Sequence, residues 1–491
     1  MERYILSIDQ STQGTKALLF NQRGELIGRS DCPHRQIVSE KGWVSHDPEE
    51  IYSNLIACVR SVVEKAGIDK EALACLGISN QRETALAWDR ETGRPVGQAI
   101  VWQCSRSKDI CREIEELGAG KVIREKTGIP LSPYFPASKL TWLLKNNPEA
   151  REKANSHKLC MGTVDSYLIY RLTKGESYKT DYSNASRTQL FNIRDLCWDK
   201  ELCGIFQIPI EDLAKVCDSD ALFGMTDFEG YLKHPIPIHG VLGDSHGALF
   251  GQSCHKAGMC KATYGTGTSV MLNIGEKPVF STHGLVTSLA WRIGGQVQYV
   301  MEGNINYSGA TITWLKDSLG LLESAAESQR LAESALPEDT TYLVPAFSGL
   351  GAPYWNNDAK ALICGMTRLT GRAEIVRAGL ESIAYQITDI VQAIESDCKL
   401  KLSELRVDGG AAQNTYLTQF QSDLLNCRVL LPDAEELSGI GAGYLAGMAA
   451  GCYTDQVFEV LRYRNYEPQM EEAVRDQKYG GWKRAVGMLG R

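Results

Sequence analysis

A chain of 491 residues is too long for one ordinary core, and with 43% hydrophobic and 23% charged residues it has the composition of globular domains, so two domains of a few hundred residues each are expected. A net charge of -8 gives no electrostatic pull toward nucleic acid or an anionic membrane surface. No apolar stretch reaches bilayer length, Asp9 stands where a signal peptide needs its apolar run, and the fifteen cysteines show neither a CxxC pair nor zinc-ligand spacing, so they read as reduced thiols of a cytoplasmic protein.

The first residues read as a meander: strand 3–9, turn 11–15, strand 16–20, turn 21–24 and strand 25–30. The first turn offers the hydroxyls of Ser11, Thr12 and Thr15, with Gly14 expected to let the backbone come close to a ligand. Helical patterns follow at 48–66 and 105–118. Between them a buried strand ends in the adjacent pair Arg82 and Glu83. Five N–H donors beside a bidentate acceptor suit the neighbouring hydroxyls of a polyol, and an exposed ion pair in a turn would read the same way. Trp102 and Tyr134 could wall such a pocket or belong to the core. Asp244 stands between an apolar strand ending at Gly243 and a Gly/Ala-rich helix start, placed to accept a proton from a substrate hydroxyl or to cap the helix. His246 has no metal-ligand partner at suitable spacing and is expected to be structural.

The second half repeats the opening unit. Strand 260–264 runs into Gly265, Thr266 and Gly267, and strand 269–275 follows. Two related α/β domains are therefore expected, residues 1–245 and 246–491, each with a phosphate-sized turn. Helical patterns recur at 308–322 and 373–395, and a glycine element at 406–414 sets Gly409 and Gly410 before Asn414 at a helix start. There the backbone could approach an adenosine, or Asp408 could simply cap a tight turn. Gly441, Gly443 and Ala446 match a dinucleotide fingerprint but follow no apolar strand, and read instead as a small-residue helix packed within the second domain. The last dozen residues read as a basic amphipathic surface helix. No Walker A or protein-kinase signature is present, so phosphoryl transfer here would need another nucleotide fold.

In chain order, the segments IDQSTQGTK, GWVSHDPEEI, NQRET, VWQC, YFPASKLTWLLKNN, GTVDSYLIYRLT, TDYSNASRTQLFNI, GDSHGALFGQ, YGTG, PAFSGLGAPYW, RAGLESIAYQ and RVDGGAAQN resemble the FGGY carbohydrate kinases, nearest to their glycerol-phosphorylating branch, over almost the whole chain. The resemblance implies an α/β fold of two actin-like, RNase H-like ATPase domains, with ATP and Mg2+ in the interdomain cleft and a small polyol or sugar as acceptor. It implies Asp244 as general base and, with Asp9, as organiser of magnesium. Arg82, Glu83, Trp102, Tyr134, Asp244, Ser245 and Ser269 would face the acceptor. Thr12, Gln13, Gly14, Lys16, Gly265, Thr266, Gly267, Gly309, Thr313, Gly410 and Asn414 would face ATP.

Two departures concern the acceptor. Ser245 stands where that branch usually has Gln, and Ser269 where it has an aromatic residue, which implies a roomier and more polar pocket. A tetritol, pentitol or ketopentose is therefore the alternative to glycerol, and a sugar sensor without turnover is a further one. Nucleic acid and membrane are not expected partners, and a homo-oligomer stays open.

Overall fold

The computed structural model describes residues 2–490 and gathers most of the strands into two mixed sheets built alike. In the first, Leu26–Pro33, Gly14–Phe20, Tyr4–Gln10, Leu73–Asn80 and Ile236–Gly243 lie side by side, the first three antiparallel and the rest parallel. In the second, Gln296–Ile305, Thr268–Gly275, Met259–Tyr264, Glu404–Asp408 and Val429–Pro432 follow the same order and sense. Numbered along the chain, both sheets run 3-2-1-4-5. This is the duplicated RNase H-like arrangement that the family resemblance implies, and its duplication is the one the repeated opening unit leads one to expect.

The central strands are buried on both faces, as parallel neighbours covered by helices must be, and Ile5 to Gln10 are buried without interruption. The helix Pro48–Ala66 covers the first sheet. Asp47 accepts from Glu49 N at its start, proline occupies its first position, and Gly67 ends it in the left-handed region (φ 65°). Its Leu55, Val59 and Val62 pack with Leu6, Ile8 and Leu19 of the sheet. Arg372–Cys398 does the same for the second sheet through Ile383, Ile387 and Ile390. The helical patterns at 105–118 and 308–322 are shorter than expected, Lys108–Glu116 and Gly309–Asp317. The closing helix is longer, Glu472–Gly487, and buries Trp482 against Tyr385 of the second domain, with Trp482 Nε1 donating to Asp389 Oδ2 at 2.7 Å.

The helix Leu437–Ala449 overturns one expectation. It consists of small residues as read, but it packs on the first sheet instead of within the second domain. A Cβ at Gly77 would meet the Ala442 carbonyl oxygen at 2.4 Å, and one at Gly441 would meet the Gly247 carbonyl oxygen at 1.9 Å. Glycines at these positions let the helix backbone touch both a sheet strand and the helix Asp244–Gly251. Residue 245, the expected boundary, lies inside the helix Asp244–Gly251, and the chain passes from one sheet to the other over 252–258. An insertion in the first half carries a small five-stranded sheet and the turn bearing Tyr134, just before helix Pro136–Asn146. It meets the edge strands of the second sheet, where Tyr299 donates to the Ile193 carbonyl (2.6 Å) and Leu289 N to Ser186 Oγ (3.1 Å).

Candidate active site

Strand Tyr4–Gln10 delivers Asp9 to its C-terminal end, and Ser11 closes the following turn by donating to the Gly14 carbonyl from both N (2.8 Å) and Oγ (3.0 Å). Gly14 answers to the neighbouring strand and not to a ligand, because a Cβ there would lie 2.8 Å from the Cys32 carbonyl oxygen. Thr12 Oγ1 accepts from Trp102 Nε1 at 2.9 Å, which ties the phosphate-sized turn to the expected acceptor wall, while Gln13 is exposed. Lys16 is held by Glu436 at 2.7 Å and keeps 3.9 Å from Asp9. Asp9 Oδ1 is buried without a hydrogen-bond partner. Burial pushes the Asp9 carboxyl up to about 6; Lys16 opposes the shift, and Glu436 and Asp244 add to it.

At the end of Leu73–Asn80 the chain turns through Glu83, in the left-handed region (φ 59°), and both expected acceptor residues are buried. They do not pair closely: Arg82 Nε is 3.9 Å from Glu83. Arg82 instead reaches Glu302 of the second sheet with both terminal nitrogens, at 3.1 and 3.0 Å, and sets Nε 3.2 Å from Asp244 Oδ1. Arg187 binds Glu83 at 2.6 Å and Glu302 at 3.0 Å. Burial alone would raise the Glu302 carboxyl, but Arg82 and Arg187 outweigh it and hold the group well below the usual carboxylate range. His246 is buried beside them. Burial first, then the charges of Arg82 and Arg187, keep it neutral, as a structural histidine should be.

Asp244 is the first residue of its helix and not the cap, which is Gly243. A Cβ at Gly243 would fall 2.7 Å from Arg82 Cγ, so glycine there is what lets Arg82 pass. The Asp244 side chain is about one-third exposed, and Ser245 beside it is half-buried. Ser269 faces the same cluster, its Oγ donating to Glu302 Oε1 at 3.2 Å. The Trp102 and Tyr134 rings pack with centroids 5.5 Å apart.

In the second half, a cavity of about 540 Å³ is lined by Gly265, Thr266, Gly309, Thr313, Gly410 and Asn414 among others. Ser308 N and Gly309 N donate to the carbonyls of Thr266 and Gly265, both at 3.0 Å, which locks the second turn onto the start of helix Gly309–Asp317. Nothing stands within 4 Å of a Cβ built at Gly410. Asn414 caps the helix Thr415–Leu425 by accepting from Leu417 N; Asp408, the other candidate cap, is buried and accepts from Gln252. Gly267 does not line the cavity, and a Cβ there would strike the Ile305 carbonyl oxygen at 2.3 Å. Thr12, Gln13, Gly14 and Lys16 do not line it either. Sequence reasoning missed Arg187 and Glu302. For Glu302 a signal existed, a lone carboxylate in the otherwise apolar strand pattern YVMEGNI.

A partly open carboxylate beside a buried arginine in the first of two RNase H-like halves, with a glycine-framed cavity in the second, fits a phosphotransferase of the sugar- and polyol-kinase class. The N-terminal domain of the FGGY family of carbohydrate kinases matches residues 4–251, and the family's C-terminal domain matches residues 260–450. The chain belongs to the FGGY family of carbohydrate kinases. It is 46% identical over 489 residues to glycerol kinase 1 of Thermotoga maritima (99% of each chain) and 45% identical over 488 residues to glycerol kinase of Oceanobacillus iheyensis (99% of this chain, 98% of that one). Among solved structures, Plasmodium falciparum glycerol kinase with ADP superposes with a TM-score of 0.95 at 36% identity, covering 100% of this chain and 99% of that one. A xylulose kinase from Lactobacillus acidophilus shares the fold, with a TM-score of 0.89 at 21% identity over 99% and 97% of the chains.

Proposed function

We propose that this kinase transfers the terminal phosphoryl group of ATP to a terminal hydroxyl of glycerol or a closely related small polyol. The observation that carries the proposal is Asp244: partly open and facing Arg82 Nε at 3.2 Å, within the buried cluster that Arg82 forms with Glu302 and Arg187. Asp244 accepts the proton of the attacking hydroxyl as the oxygen approaches the γ-phosphorus in line. Arg82 and Glu83 orient the acceptor's neighbouring hydroxyls. Gly410 and the Gly265–Thr266 turn receive the nucleotide, with Asn414 at a helix start beside it.

Asp9 suits a divalent cation. Its buried Oδ1 lacks a partner and burial disfavours its charge, and a cation would offset both. Among the described residues no group of three or more His, Cys, Asp or Glu side chains forms a metal cage, which fits an ion held mainly by phosphate oxygens. Asp9 and Asp244 would hold magnesium, which when bound balances charge on the transferring phosphoryl group.

Full-length relatives that are glycerol kinases do not favour the larger acceptors inferred from Ser245 and Ser269. Ser269 is engaged by Glu302, so the smaller residue brings a hydrogen bond along with any added space. No helix among the described residues is long and apolar enough to cross a membrane. All fifteen cysteines are free, which suits the reducing cytoplasm that we propose as its location. The test is ADP release with Mg-ATP and a panel of glycerol, erythritol, xylitol, ribitol, xylulose and ribulose. The expected result is the highest kcat/KM for glycerol; a larger acceptor ahead of it would overturn the substrate assignment, and no turnover on any would restore the sensor.

A further inference from the structure

We propose that Lys139 is a positioning residue for the acceptor pocket, fixing the turn 133–135 and with it the Tyr134 ring through contacts to three successive carbonyls. Lys139 lies in the first turn of helix Pro136–Asn146 and is fully buried. Its Nζ donates to the carbonyls of Pro133 at 2.7 Å, of Tyr134, and of Phe135 at 3.3 Å. An ammonium has three N–H groups, and this turn presents one acceptor to each.

The placement is costly by every general criterion. A helix N-terminus repels a cation, burial penalises it, and among the described residues no carboxylate lies within ion-pairing distance of it. A neutral side chain of similar length would fill the space without these costs. What the ammonium alone supplies is a fixed conformation for the three residues whose carbonyls it gathers.

Those residues build one wall of the acceptor site. The Tyr134 ring packs on Trp102 and on Phe135, and Phe135 lies under the Arg187 guanidinium at 5.2 Å. Lys139 thus acts on the acceptor side and touches nothing that lines the nucleotide cavity. Burial holds its ammonium at about 7; of the groups around it, Glu83, Cys104 and Cys111 favour the charge and Arg106 disfavours it. Above that pH the neutral amine has two hydrogens for three carbonyls.

The inference rests on the reading that Tyr134 faces the acceptor, and the experiment separates the two. Glycerol KM, ATP KM and kcat are measured for wild type, Lys139→Met, Tyr134→Ala and the double variant, with thermal melting for each. Expected are a glycerol KM raised about tenfold in Lys139→Met with ATP KM within about twofold, and no further rise when Lys139→Met is added to Tyr134→Ala. A glycerol KM that rises in Tyr134→Ala but not in Lys139→Met, or losses that multiply in the double variant, would overturn the role of Lys139 alone. An unchanged glycerol KM in Tyr134→Ala would overturn both. Should Lys139→Met fail to fold, Lys139→Gln takes its place: a glycerol KM raised several-fold with ATP KM level supports the proposal, and a glycerol KM within about twofold of wild type refutes it.

Discussion

The two sides of the cleft solve recognition differently. On the side proposed for the acceptor, Arg82, Glu83, Arg187 and Glu302 are all buried and locked to one another, so charge is fixed in a low-dielectric setting before any substrate arrives. On the side proposed for the nucleotide, the cavity is framed by glycine backbone and a helix cap. A small triol offers few atoms, so its discrimination must come from rigid, well-oriented donors and acceptors; a nucleotide is large enough to be held by contour.

The largest expected effect breaks the acceptor side at its reacting end. Asp244→Asn should lower kcat by about 100- to 10,000-fold while ATP binding, followed by calorimetry, persists. Retained turnover would remove Asp244 as the base. Next, Glu302→Gln leaves Arg82 and Arg187 short of a shared buried partner, and should cost about 3–5 kcal/mol in urea unfolding along with a weaker hold on glycerol. A stability within error of wild type would show that the network is not the rigid element described above.

On the nucleotide side, Gly309→Ala drives a Cβ to 2.8 Å from the Gly265 carbonyl and should raise ATP KM about tenfold with glycerol KM unchanged. Gly410→Ala is the sharpest and smallest. Its Cβ meets nothing within 4 Å, so melting should not move, and only a ligand lying against Gly410 can feel it, as a few-fold rise in ATP KM. If ATP KM stays level while glycerol KM changes, the two sides have been assigned the wrong way round.

Much of this was legible because it is local. Alternation and turn residues mark the opening meander, helical periodicity marks 48–66, and the ordered motifs carry the family. What resisted reading is what only tertiary folding brings together. Arg187 and Glu302 stand 115 residues apart and meet across the cleft, and Gly14 looks like a ligand-binding glycine until the Cys32 carbonyl is seen behind it. Gly267 misleads in the same way, since its smallness serves the Ile305 backbone. A glycine in a turn reports that something approaches; only the fold says what.

The helix Leu437–Ala449 has a further consequence for how the molecule is made. Its Leu437, Ile440 and Tyr444 cover Ile5, Leu18 and Phe20, so this face of the first sheet lacks most of its cover until residues more than 400 positions later have been made. The N-terminal half therefore emerges with an uncovered apolar surface and must wait for a partner more than 400 residues later in its own chain, as the Ser7 hydrogen bond to Gly439 illustrates. Birth order and folding order part company here, and slow translation between the two segments would lengthen the interval in which that apolar face meets water.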